Sequence, residues 1–440
     1  MTLQNDSGTD PSDILHFPCG VERMANGNTL VVDAGAEDGS GSKVMEVTPA
    51  GEIIWASRQG YRFAHSARRT PSGTTLVADT TNNRIIEVDG DDNLIFNSKE
   101  WEGGNGRLSD GSQLDYPNNI ELAGDGLWMV TCRNSNRYVL VDRQGTVRAA
   151  SQVEIKHPHN CSPLPNGCVL LADSDANVVR EVDPDGRTLW EFAEGLNWPR
   201  DANRLPNGNT LIADSKNSRV IEVTRDGNIV WEFAVDYFAN FYEAHRLDTG
   251  NTLISDQQQK RVFEVSQAGD VVWEFRNFQR EQTVLEKLSN GFFKKRGPDG
   301  MPLDWSLATR FSEGGGRFVE GKNDYGNDVP GMEYDRAGGL YFHQLVRCEP
   351  GAKFTFAGSL ATRDLDGFAC LQVAFIDDLD GLLCDASLAP KGTALSGDSG
   401  WMSDELAVTV PERASHASLR VFLTGKGSVY FNELRWVPCI

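Results

Sequence analysis

Leu205-Pro206-Asn207-Gly208-Asn209-Thr210-Leu211-Ile212-Ala213-Asp214 decides the fold of this chain. Asn207-Gly208 is the strongest short hairpin signal, because Asn and Gly tolerate the positive φ that a tight turn needs. Thr210–Asp214 follows as a strand and Ser215–Ser218 as a polar loop. Arg219–Val223 is the next strand, Arg225-Asp226-Gly227 a turn, and Asn228–Phe233 the outer strand. With the strand ending at Arg204-Leu205, four short antiparallel strands are separated by turn chemistry, which is the grammar of a propeller blade.

The stretch recurs. Its turn glycines fall at Gly27, Gly73, Gly126, Gly167, Gly208 and Gly250, at spacings of 46, 53, 41, 41 and 42 residues. A period in this range marks a repeat array and not a set of independent domains. Six copies predict an all-β, six-bladed β-propeller over residues 15–276, preceded by a polar, acidic N-terminal tail 1–14. The endings Gly51/Trp55, Gly186/Trp190, Gly227/Trp231 and Gly269/Trp273 put a large ring on the outer strand, expected to pack between blades. The repeats stop at Phe275. A basic stretch, Lys294–Gly300, falls in an expected linker 277–302, and residues 303–440 read as a second domain, a β-sandwich (jelly roll) of alternating strands and Gly/Pro turns.

The formal charge of −21 excludes nucleic acid as an expected partner, since a phosphate backbone needs a cationic surface. No run approaches the length of a membrane span, and the N-terminus shows no apolar signal core, so a cytoplasmic location is expected. The eight cysteines lack CxxC or finger spacing, which fits a reduced compartment and supports no structural zinc.

Comparison of the copies locates a site. Positions that hold the fold stay constant, and positions that vary in chemistry are free to serve function. Eight residues before each turn glycine stand Cys19, His65, Asn118, His159, Arg200 and Tyr242. One residue later come Gly20, Ser66, Asn119, Asn160, Asp201 and Glu243; five before the glycine come Glu22, Arg68, Glu121, Ser162, Asn203 and His245. The position between them is apolar in every copy (Val21, Ala67, Ile120, Cys161, Ala202, Ala244), as expected of an innermost strand packed between blades at one parity. The varied positions then converge on the top rim of the central channel, and convergent polar groups in a concavity mark a site. The pattern assigns catalysis to His159, His65, Arg200 and Tyr242, with Arg68 or Arg204 assisting Arg200. Substrate contacts fall to Asn118, Asn160, Cys19, Glu243, His245, Arg68 and Trp198. The insertion Trp101–Leu114 reads as a Gly-rich lid on the same rim that brings Trp101 to the substrate.

His157-Pro158-His159-Asn160-Cys161-Ser162-Pro163-Leu164-Pro165-Asn166-Gly167, with Gly208–Asp214 and Gly227–Trp231, resembles the arylsulfotransferase-like branch of the PQQ-like propellers over residues 15–275. The resemblance implies a channel histidine that carries a sulfuryl group, at His159, with His65 as its counterpart. It does not imply PQQ, because the vicinal cysteines and eight blades are absent. Cys348–Phe356, Trp401-Met402, Val410-Pro411 and Gly427–Leu434 resemble a carbohydrate-binding-module jelly roll, which implies a carbohydrate partner and a structural calcium. Asn432 stands where that family tends to have Asp.

Three readings stay open. The first is a small-molecule enzyme with a histidine-centred site, by resemblance a group transferase and otherwise a cofactor-independent cyclase, isomerase or lyase. The second is a non-catalytic scaffold that binds a glycan or a protein partner. The third completes the rim with residues of the second domain. None of them requires a cofactor.

Overall fold

The computed structural model describes residues 15–36, 39–276, 284–285, 287–291, 293–297, 301–310, 316–324, 327–335, 339–378, 381–384 and 389–438. The expected tail 1–14 lies outside them. The chain divides between Gln279 and Arg280 into two compact units.

The first unit is a six-bladed propeller, each blade a four-stranded antiparallel sheet of consecutive strands. The innermost strands are Pro18–Arg23, Ala64–Arg69, Pro117–Leu122, Pro158–Pro163, Pro199–Arg204 and Phe241–Arg246, and they line one bore. The apolar residue in the middle of each enters a different hydrophobic cluster, one at each blade interface, as the parity argument requires. The ring closes without a shared strand. Leu15, Val21 and Met45 of the first blade pack with Leu253, Val262 and Phe275 of the last. Ser255 Oγ donates to the carbonyl of Cys19 across the same seam.

The outer tryptophans pack between blades. Trp190, Trp231 and Trp273 each donate Nε1–H to a turn carbonyl of the next blade, at 2.8, 3.0 and 2.9 Å. An arginine of that next blade stacks on each ring (Arg204, Arg246, Arg23) and pairs with a glutamate of the tryptophan's blade.

The second unit is a sandwich of two five-stranded antiparallel sheets. One runs, in spatial order, Ser306–Arg310, Gly339–Arg347, His416–Thr424, Leu365–Ile376 and Leu395–Gly397. The other runs Gly316–Lys322, Asp328–Tyr334, Gly427–Pro438, Lys353–Arg363 and Met402–Thr409. One apolar core fills the space between them. The segment expected to be a linker contributes to this core: Phe293 is buried against Trp305, Phe342 and Phe431, and Leu285 bridges to Val346. Its apolar residues are better satisfied against the sandwich than in solvent. No helix among the described residues is long and apolar enough to cross a membrane.

Candidate active site

Each innermost strand carries a β-bulge at its entry, and the bulge contains Cys19, His65, Asn118, His159, Arg200 or Tyr242. In a regular strand these positions would share the face of the apolar residues two places on. The extra residue re-aims them. This is the physical reason the repeat stops repeating there: the bulged position no longer belongs to the blade interface.

A buried aspartate holds the loop that enters the strand. Asp214 accepts from the backbone N–H of Asn197 and from Arg219 Nε, both at 2.7 Å. Asp33, Asp79, Asp173 and Asp256 make the same clamp with Lys43, Arg84, Arg180 and Arg261. The final Asp of the repeated Leu-Ile-Ala-Asp is therefore architecture. In the third blade Cys132 takes that place, and Arg137 pairs instead with Asp110 of the insertion. Just past the clamp, Phe63, Tyr116, His157 and Trp198 have φ of 50°, 56°, 59° and 57°. Non-glycine residues rarely adopt this strained region, and such strain gathers at functional sites.

The bulged residues form one contact network below these aromatics. Asn118 Nδ2 donates to the Tyr242 hydroxyl at 2.8 Å, from the third blade to the sixth. The Tyr242 ring lies 5.6 Å from His65 and 6.0 Å edge-on from His159. Arg200 sits 4.4 Å above it and donates to Gln257 Oε1 at 3.0 Å. Trp198 and His157 lie against His159, at 6.0 and 5.2 Å between ring centres.

Hydrogen bonds fix the state of both histidines. Ser174 Oγ lies 2.7 Å from His159 Nδ1 and donates its own proton to the Pro199 carbonyl at 2.6 Å. It can therefore only accept from the ring, so Nδ1 carries the hydrogen. His65 Nδ1 meets the Phe63 carbonyl at 2.5 Å and Thr80 Oγ1 at 2.9 Å, and Thr80 donates to the Pro117 carbonyl, which forces the same tautomer. Nε2 of each ring is left as a lone-pair acceptor with no hydrogen-bond partner among the described residues.

The surrounding field is cationic in a chain of strongly negative charge. Burial, then the charges of Arg133 and Arg200, lowers the His65 pKa to about 3. Burial, then Arg200 and Arg133, pushes His159 well below its ordinary value. Both rings are neutral at physiological pH. Burial raises Tyr242 and Cys19 far above their ordinary values, so both keep their protons, and the Cys19 thiol donates to the Phe17 carbonyl. Arg133, stacked 3.8 Å above Tyr116, and Arg200 have no carboxylate partner among the described residues. Arg68, Arg84, Arg204, Arg219, Arg246 and Arg261 all have one. Arg200 Nε, Trp198 Nε1 and Asn118 Oδ1 are buried and unpartnered.

The other expected contacts lie elsewhere. Asn160, Glu243, His245 and Arg68 belong to a second, acidic ring further along the inner strands. There Glu243 accepts from the Val21 backbone N–H at 2.9 Å and pairs with His245 and Arg68. Arg204 pairs with Glu181, away from Arg200. The lid expectation is corrected. Trp101 is buried in the core between the second and third blades, packs on Gly145 and donates Nε1–H to the Arg143 carbonyl. An indole of that size is better satisfied in an apolar interface than over a polar channel.

Arg133 escaped the sequence reading, although a signal existed. Seven residues after the turn glycines stand Ala34, Thr80, Arg133, Ser174, Ser215 and Gln257, a position where Thr80, Ser174 and Ser215 bridge to the next inner strand. Ala34, Arg133 and Gln257 break that rule, and Arg133 and Gln257 bring polar groups to the site. Among the described residues no group of three or more His, Cys, Asp or Glu side chains is arranged to hold a metal ion.

No protein-family model matches the chain, and no curated protein matches it. Solved structures do. One described as a streptogramin B lyase is 12% identical, with a TM-score of 0.46 over 60% of this chain and 84% of its own. A virginiamycin B lyase from Staphylococcus aureus is 12% identical, with a TM-score of 0.45 over 60% of this chain and 86% of its own. The WD40 β-propeller domain of Doa1 is 10% identical, with a TM-score of 0.42 over 55% and 76%.

Proposed function

We propose that the upper ring is the active site of an enzyme that transfers a proton on a small anionic substrate, as a lyase, isomerase or cyclase. The observation that carries this reading is a pair of neutral histidines, locked with hydrogen on Nδ1 and a free Nε2, beside two arginines that lack carboxylate partners. A substrate carboxylate or phosphate seats between Arg133 and Arg200, where charge-assisted hydrogen bonds are strongest. Its charge cancels the field that depresses the histidines, which raises their basicity once substrate is present. Nε2 of His159 then removes a proton, and Arg200 stabilises the negative charge that develops. The Tyr242 hydroxyl, which already accepts from Asn118, keeps its own hydrogen to donate.

The free Nε2 between cations also supports a second reading, in which His159 is the nucleophile of a group transfer. One experiment separates the two. The protein is incubated with a panel of small carboxylates, phosphates and sulfate esters, and both product formation and the mass of the peptide containing His159 are followed. Deuterium exchange or elimination without peptide modification supports proton transfer; a mass increase on His159 supports group transfer. Turnover that survives His159→Ala and His65→Ala together overturns both. Saturable binding with no turnover supports the scaffold.

A further inference from the structure

The lower ring is not needed by this chemistry, and its charge does not balance. Glu22, Glu121, Asp201 and Glu243 face one guanidinium, Arg68, and one imidazole, His245. Three of the carboxylates spend an oxygen on holding the next blade: Glu243 on the Val21 N–H, Asp201 on the Ala244 N–H and Glu22 on the Arg69 N–H. Their remaining oxygens are not all satisfied. Asp201 Oδ1 and Asn119 Oδ1 are unpartnered, on side chains 1% and 2% exposed. Both side chains point into the ring, since Asp201 Oδ2 accepts from Asn203 Nδ2 and Asn119 Nδ2 donates to Glu121 Oε1. Among the buried unpartnered atoms of this ring, Asp201 Oδ1 and Asn119 Oδ1 are acceptors and Asn160 Nδ2 is a donor. Burial raises Asp201 to about 6 and also raises Glu22, while Glu243, although buried, is held below its ordinary value by Arg68 and His245. His245 and Glu121 remain partly exposed, with 24% and 18% of their side chains open to solvent.

We propose that the lower ring is a second binding site, which takes an organic cation with a primary ammonium group. The carboxylates come from separate blades and form no three-ligand metal group among the described residues, whereas an ammonium supplies three N–H donors to spread acceptors. The site is independent of the chemistry at His159. It is tested on the full chain by calorimetry and thermal melting with n-butylammonium chloride, against tetramethylammonium chloride and sodium chloride at equal ionic strength. Saturable heat and a rise in melting temperature with butylammonium alone are expected. Glu22→Gln and Asp201→Asn keep the backbone hydrogen bonds and remove the charge, and each weakens binding by about ten-fold or more. Equal responses to all three salts, or no saturable response to butylammonium, overturn the proposal. So does undiminished affinity in both variants. If either variant fails to fold, the comparison of the three salts on the unmodified protein still decides.

Discussion

Ser174 Oγ holds His159 by Nδ1 at 2.7 Å while giving its own hydrogen to the backbone of the next blade. One hydroxyl thus ties two blades together and selects the tautomer of the central histidine. Imidazole nitrogen NMR on the uniformly labelled protein is expected to show His159 with hydrogen on Nδ1, and Ser174→Ala to yield a mixture of tautomers. A wild-type ring protonated on Nε2 would refute the assignment. Turnover in Ser174→Ala should fall by about ten-fold or more, within the range a positioned general base contributes.

The neutral histidines also make stability depend on pH. His65 titrates near 3 in the fold and near its ordinary value when unfolded, so below about pH 6.5 the unfolded chain binds the extra proton. Its contribution is full above that value and is lost as pH falls toward 3, with a slope of about 1.4 kcal/mol per pH unit. His245 and Asp201 are both raised and act in the opposite direction, so the informative quantity is a difference between proteins. His65→Asn keeps a donor toward Thr80 and cannot titrate. Urea unfolding from pH 7.5 to 5 should show wild type losing stability relative to this variant as pH falls. A pH-independent difference would contradict the buried neutral state.

The architecture was legible in the sequence because the repeated residues are those that build it: turn glycines, outer tryptophans and the apolar position of each inner strand. The upper ring was legible for the converse reason, that its members differ from blade to blade. Two things were hidden. A bulge is a backbone event with no residue signature, so the tiers above and below it merged, and Glu243 and His245 were placed with His159. Arg133 lies on a different loop from the bulged residues, and only the pairing of its backbone N–H with the Tyr116 carbonyl, two residues before Asn118, brings it beside them. Trp101 misled because insertion length says nothing about which edge of a blade a loop covers.

The aspartate clamps should couple stability to the site. Asp214 is fully buried between Arg219 and the loop that carries Trp198 and Arg200. Asp214→Ala removes one side of a largely buried ion pair, at a cost of about 3 kcal/mol. It also frees the strained loop that orients Arg200. Denaturant titration and anion binding measured on one preparation should both deteriorate. Normal anion affinity in a destabilised variant would show that the clamp serves the fold alone.

Trp101 and Trp198 provide the contrast that fixes where the site ends. Trp101 fills the interface between the second and third blades, so Trp101→Ala should cost about 3 to 5 kcal/mol of stability through the cavity it leaves. It should leave anion affinity unchanged, because the ring never reaches the channel. Trp198 is half-buried at the mouth, 6.0 Å from His159, with Lys216 Nζ 3.3 Å above its ring. Trp198→Ala should cost little in melting temperature and weaken binding of a small aryl carboxylate by about five-fold or more, the scale of a lost π-face contact. The same ligand should quench the indole fluorescence of wild type and of Trp101→Ala, and quench it less in Trp198→Ala. Quenching lost with Trp101 and kept without Trp198 would return the insertion to the role of a lid and move the substrate site toward the third blade.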